Sequence, residues 1–154
     1  MANSPILEQI ILDIVSNLNQ VTVANGFQTD VTAARPNPGI GNAIADGLAI
    51  VSLGSATAED PPSQAQQWRQ EILIDCCVKQ SETSSTTIDT RRVTMLADVA
   101  EALLATYTRG GLAVDTVQTQ AIFSPIDYDA HIGFVTAVFE VVYRTAYGNG
   151  YDAF

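Results

Sequence analysis

The chain's one histidine, His131, closes the run Asp127-Tyr128-Asp129-Ala130-His131. Carboxylates and an imidazole are the donor types that hold a divalent metal and activate water on it. Three donors from one short loop leave such an ion short of anchored ligands. A small metal-dependent hydrolase would therefore need Asp115 or Glu140 to arrive from elsewhere in the fold. Nucleophilic chemistry has a similarly narrow base. Ser55 follows an apolar run, as a nucleophile can, but it stands in Leu-Gly-Ser-Ala-Thr rather than G-x-S-x-G, and His131 is its one possible imidazole partner. The stretch from Gly39 to Gly47 contains G-x-G without the third glycine of a dinucleotide fingerprint, and no G-x-x-x-x-G-K-[ST] phosphate loop occurs. The expectation is a protein with no catalytic residue, no metal set and no cofactor, with the Asp127/Asp129/His131 hydrolase as the enzymatic alternative.

Bulk composition narrows the partners. Seven Lys and Arg stand against seventeen Asp and Glu, a formal net charge of −10 on 154 residues. Binding to phosphates needs cations that displace counterions, so a grip on DNA or on an anionic membrane is not expected. The length suits one domain, 1–154, with a short flexible C-terminal tail at 148–154. Cys76 and Cys77 are adjacent, so a strand would turn them to opposite faces as two reduced thiols. The N-terminus lacks the pattern of a secretory signal, no apolar run approaches a membrane span, and the expected site of synthesis is the cytoplasm.

Periodicity supplies the elements that would position any site. Ser4 and Pro5 suit a helix start, and Ile6, Leu7, Ile10, Ile11, Ile14, Val15 and Leu18 follow at helical spacing. A strand is predicted over 27–35, a Pro/Gly-rich loop over 34–47, a doubly apolar strand over 48–54, and an exposed loop over 54–66. From Trp68 to Gln80 the pattern alternates, with Trp68, Ile72, Ile74, Cys76 and Val78 on one face and Arg69, Glu71, Asp75 and Lys79 on the other. A second helix capped by Asp89 turns Val93, Leu96, Ala100, Leu103, Leu104 and Tyr107 to the core and stops at Gly110 and Gly111. Strands over 114–123 and 132–147 follow. In the latter Val135, Ala137, Phe139, Val141 and Tyr143 oppose Thr136, Glu140 and Arg144. The predicted class is α+β, a mostly antiparallel sheet of about five strands with two main helices packed on it.

Interfaces favour Trp, Tyr and Arg, and alternating charge can match a neighbour's alternating charge. The candidate subunit-interface residues are therefore Trp68, Arg69, Glu71, Asp75, Lys79, Glu140 and Arg144, with Tyr147, Tyr151 and Phe154 as aromatic anchors on the terminal segment. The two long loops are the expected docking surfaces.

The whole arrangement resembles the tail terminator (tail completion) proteins of long-tailed bacteriophages. The features that carry it are ILEQIILDIVSNL, VANGFQTDV, GLAIVSLGS, QWRQEILIDCCV, RRVTMLADVAEALL, the GGLAVDT turn and VFEVVYRTAYGNGYD, of which Tyr143-Arg144 before a Gly/Asn turn is the most suggestive. It is a pattern over nearly the full chain, without a short diagnostic motif. The resemblance implies a non-enzymatic virion protein at the head-proximal end of the tail. It would form a homo-hexameric ring that caps the tail tube, ends tail growth and docks the head, with tail tube and neck or connector proteins as partners. A neck or head completion protein at the same joint is the near alternative. Six copies would carry −60, six times −10, and a negatively lined channel would pass DNA without holding it.

Overall fold

The computed structural model describes residues 4–37, 45–59, 64–80 and 86–153. Helix α1 (Ile6–Leu18) turns Ile6, Ile10, Ile11, Ile14 and Leu18 inward, as its spacing predicts, with Pro5 rather than Ser4 at the N-cap. Strands β2 (Leu48–Glu59), β3 (Ala65–Lys79), β4 (Asp115–Phe123) and β5 (Ile132–Ala146) form the body of one sheet, with a short β1 (Thr32–Ala34) at its edge. The order is β1-β2-β3-β5-β4; β1 runs parallel to β2, and the other neighbours in this order are antiparallel. Helix α2 (Ile88–Ala105) lies with α1 on one face, so the class is α+β as predicted. Residues 149–153, read from the sequence as part of a tail, form β6 (Asn149–Ala153), which folds back on the end of β5.

The expected strand over 27–35 shrinks to three residues because side-chain bonds hold its first half out of the sheet. Asp98 on α2 accepts from the Gln28 N–H at 3.0 Å and from the Thr29 hydroxyl, and Asp30 accepts from the Val23 N–H at 2.8 Å. Such local bonds compete with a sheet ladder. The expected loop over 54–66 is in large part strand. β2 continues past Gly54 through a bulge between Leu53 and Ala56, and the Gln70 amide donates to the Gly54 carbonyl at 3.1 Å. Residues 38–44 and 60–63, the remainder of the two loops expected to dock partners, lie outside the described residues.

Helix α2 starts on Thr87, whose hydroxyl accepts from the Thr90 N–H at 3.2 Å, and not on Asp89. Its buried residues are Ile88, Arg92, Met95, Asp98, Val99 and Leu103. Of the predicted inward residues, Leu96 and Ala100 are partly buried, while Val93, Leu104 and Tyr107 are exposed. The apolar arc of the helix is wider than the sheet beneath it. Between helices and sheet, Phe139, Ile72, Ile74, Met95 and Ile14 are fully buried, each contributing roughly 1.5–3 kcal/mol by removal from water.

The N-terminal end of α2 sits directly on β5. Arg92 donates to the carbonyls of Ser124 at 2.6 Å and Phe134 at 3.0 Å, and pairs with Asp89. Gly133 makes room for this: a Cβ there would collide with Ile88 and approach Arg92 Cδ at 2.9 Å. Gly133→Ala should therefore lower stability by about 1–3 kcal/mol, the usual cost of overpacking a filled site. Urea denaturation checks it, and an unchanged midpoint would mean that α2 does not rest on this glycine.

Candidate functional site

Strand alternation divides the sheet into a face beneath the helices and a face without them. On β3 the helix side takes Trp68, Gln70, Ile72, Ile74, Cys76 and Val78, while Arg69, Glu71, Leu73, Asp75, Cys77 and Lys79 point the other way. The register aligns these with β5 as rows: Cys77 by Phe134, Asp75 by Thr136, Leu73 by Val138, Glu71 by Glu140, Arg69 by Val142 and Gln67 by Arg144. The helix-free face thus has an apolar half, extended by Leu48 and Ile50 on β2 and Ile122 on β4, and a charged half.

The charged half is organised around Arg69. Its guanidinium pairs with Glu59 on β2 and, at 2.6 Å, with Glu140 on β5, so one cation joins three strands. Glu59 also accepts from the Gln67 amide at 2.5 Å. The Gln67 bond and then Arg69 hold the Glu59 carboxyl below its usual range, and the two glutamates raise Arg69 further. Glu71 faces Glu140 directly, a like-charge cross-strand pair that Arg69 offsets. Arg144 donates to Gln67 Oε1 at 2.8 Å, and the Thr136 hydroxyl to Asp75 at 2.6 Å.

The interface candidates therefore fall into three groups. Arg69, Glu71, Asp75, Lys79, Glu140 and Arg144 share the helix-free face, and four of them, Arg69, Asp75, Glu140 and Arg144, have side-chain partners within the chain. Trp68 lies on the opposite side, half-buried at the rim of the core beside Tyr143. Tyr147 and Tyr151 are exposed on the β5–β6 hairpin, and Phe154 lies outside the described residues.

The residues read for chemistry do not converge. Asp127 pairs with Ile132 through the backbone, its carboxylate accepts from the Ala130 N–H at 3.0 Å, and His131 takes a left-handed φ of 55° at the hairpin end. Among the described residues no group of three or more His, Cys, Asp or Glu is placed to hold a metal ion. Glu140 is engaged by Arg69, and Asp115 accepts from the Thr116 N–H at the other end of the sheet, so neither joins His131. Ser55 lies in the β2 bulge, with no hydrogen bond to His131 among the described residues.

Sequence reading missed the polar groups inside the fold. Arg92, Asp98 and Arg109 are buried; Arg109 donates to the Leu103 carbonyl at the end of α2 and lies 3.5 Å from Asp13 of α1. Burial lowers the Arg109 pKa. Spacing gives little warning of such residues, since each looks like one more polar position on a helix or turn. Cys76 and Cys77 are free thiols buried on opposite faces, and burial pushes them up to about 12 and about 11.

The α+β architecture and its open sheet face are the setting for the comparisons with known proteins. No family model and no curated protein matches the chain. Among solved structures, a chain described as "Virion of native gene transfer agent (GTA) particle" is similar over 90% of both chains, with 16% identity and a TM-score of 0.44. A likeness at that distance assigns no function.

Two outcomes follow from this geometry. Replacing Arg69 by Met leaves Glu59 and Glu140 without their shared cation, so the urea midpoint should fall at pH 7. A lowered carboxyl contributes stability above its ordinary value of 4.5 and loses it as pH falls through the folded value. The deficit of the variant should therefore shrink on acidification, and a pH-independent deficit would assign the loss to packing instead. Separately, an aromatic disulfide reagent at pH 8 should leave the native chain unlabelled and modify Cys76 and Cys77 once urea unfolds it. Rapid labelling of the native chain would contradict the burial of both thiols.

Proposed function

We propose that this chain is a structural virion protein whose copies close into a ring at the head-proximal end of a phage-like tail, ending growth of the tail tube and offering a surface to the head. The observation that carries the reading is the helix-free face of the sheet. It is broad and built on long strands, it leaves apolar side chains such as Leu73, Phe134 and Ile122 without a covering element among the described residues, and no catalytic set assembles there. The full-length pattern resemblance supplies the class and the expected hexamer.

The two halves of the face suit two roles. Apolar Phe134, Leu73 and Ile122 are suited to burial against a neighbouring copy. In the charged half Arg69 satisfies Glu59 and Glu140 within the chain, and the whole face carries five carboxylates, Glu59, Glu71, Asp75, Asp115 and Glu140, against Arg69, Lys79 and Arg144. A surface that is acidic on balance suits the wall of a bore through which DNA passes unheld. Tail tube and neck or connector proteins would meet the two rims of the ring.

Native mass spectrometry across concentration, with purified tail tubes as the second arm, tests this reading. The expected result is a discrete closed oligomer, free or on tube tips, and its loss in Ile122→Lys with the monomer still folded. A chain that stays monomeric at every concentration and neither binds nor caps tubes would overturn the proposal.

A further inference from the structure

The largest unexplained feature lies on the other side of β4. Helix α2 runs antiparallel to this strand: the Tyr107 carbonyl accepts from the Thr116 hydroxyl at 2.6 Å at one end, and Arg92 lies 5.2 Å from the centre of the Phe123 ring at the other. At helical spacing Val93, Ala100 and Leu104 fall on one flank, and Tyr107, two residues past the helix, follows beside β4. Val93 is 55% exposed and Tyr107 52%, and Phe123 on the strand is 45% exposed. These side chains overhang the sheet edge as a continuous apolar margin, larger than the scattered exposure usual on a surface. Beside Phe123 and Val93 it deepens into an open cavity of about 570 Å³.

The strand beneath this margin has a free edge. The far edge of the sheet is guarded, because Asn19 accepts from the Ala33 N–H at 2.8 Å and donates to its carbonyl at 3.3 Å, covering β1 with a side-chain amide. β4 has less cover among the described residues: the Asp115 carboxylate accepts from the Thr116 N–H at 2.8 Å at the start of the strand, and no side-chain amide spans its edge. It carries no Lys, Arg or Pro, and its one irregularity is a bulge between Gln118 and Gln120. Natural sheets ordinarily protect an edge of this length with charge or proline. Of the charges present, Arg92 against Phe123 is buried and pairs with Asp89, which leaves the exposed carboxylates of Asp115 at the Tyr107 end and Glu101 on α2. Asp89 shares Arg92; Glu101 and Asp115 have no basic partner among the described residues.

We propose that the β4 edge and the α2 flank together form a docking groove for an extended, basic segment of a partner protein. The segment adds a strand to β4, lays alternate apolar side chains under Val93 and Leu104, and sets Lys or Arg against the unpaired carboxylates of Asp115 and Glu101. Strand addition supplies affinity through the backbone, and the helix flank selects the side chains. The carboxylates choose a cationic segment over an acidic one, which also disfavours a second copy of this acidic chain as the occupant. The groove follows the outer edge of β4, touches the helix-free face only through Asp115, and stands whether or not copies close into a ring.

The test uses the full chain and a synthetic peptide as long as the nine residues of β4, alternating valine and threonine with arginine at each end, beside a twin ending in glutamate. Amide hydrogen exchange is the readout. The arginine-ended probe should slow the outward amides of β4 at least about tenfold, with the glutamate-ended twin far weaker at low salt. Val93→Asp with Leu104→Asp, both at exposed positions, should remove the effect while circular dichroism stays unchanged. Absence of slowing at saturating probe, or equal slowing by both peptides, overturns the proposal. Slowing that appears in the protein alone and grows with its concentration would assign the groove to a second copy and overturn the stated occupant.

Discussion

The antiparallel pairing of β3 with β5 is the contact on which everything else rests. Fifteen register pairs run without a break from Ala65 against Ala146 to Lys79 against Ile132. Because side chains alternate, this one register decides which residues are core and which are surface. A slip of one residue in β5 would carry Phe139 and Val141 to the open face and bring Glu140 beneath the helices. The burial of Ile72, Ile74, Phe139 and Val141 and the meeting of Arg69 with Glu140 are thus two consequences of the same alignment. β2 and β4 attach to its two sides, and each absorbs a bulge where the central pair has none.

The helices are fixed to that pair by polar contacts as much as by apolar ones. Arg92 binds the β5 side through the Phe134 carbonyl, Asp98 holds the Gln28 N–H and the Thr29 hydroxyl, and Arg109 ties the end of α2 to Asp13 of α1. Buried guanidinium groups lose hydration, so each must recover hydrogen bonds inside. Arg92 and Arg109 do so through their terminal nitrogens, the Nε of each being buried without a partner, and their bonds hold α2 at its opposite ends. The helix so held brings Met95 and Val99 onto the sheet and leaves Val93 and Leu104 over the edge. A helix held by apolar contact alone could roll to bury its widest apolar arc, and here the buried ions oppose that roll.

This explains what could be read from the sequence and what could not. Local period was legible: α1, the alternation from Trp68 to Val78 and the two faces of β5 stand where their spacing places them, and so does the α+β class. Non-local competition was not. The Gln28 N–H and the Thr29 hydroxyl are taken by Asp98, 70 and 69 residues away, so a β-like stretch became a short edge strand. Gly54 looked like a strand end, yet Gln70 across the ladder satisfies the bulge it creates. The α2 face was misjudged because hydrophobic arc was equated with buried arc, while Arg92 and Asp98 took buried positions. For the candidate site, Arg69, Glu140 and Arg144 were found as types, but the cross-strand register that makes Arg69 the shared partner of Glu59 and Glu140 lies outside any local pattern.

The cis pairing of charge also bears on how such a chain can assemble. A salt bridge already closed within one subunit gives little more when a neighbour arrives, since forming a new one first means breaking the old. The charged half of the helix-free face is therefore poorly suited to supply association energy, even though it contains the residue types that interfaces favour. Association energy must come from side chains that are still hydrated: the apolar half around Phe134 and Ile122, the exposed Tyr147 and Tyr151 of the terminal hairpin, and the margin over β4. These lie on different sides of the subunit. Surfaces of this kind are suited to contacts with neighbours, whereas the charged half, where Arg69 already pairs Glu59 and Glu140, would add little to such contacts.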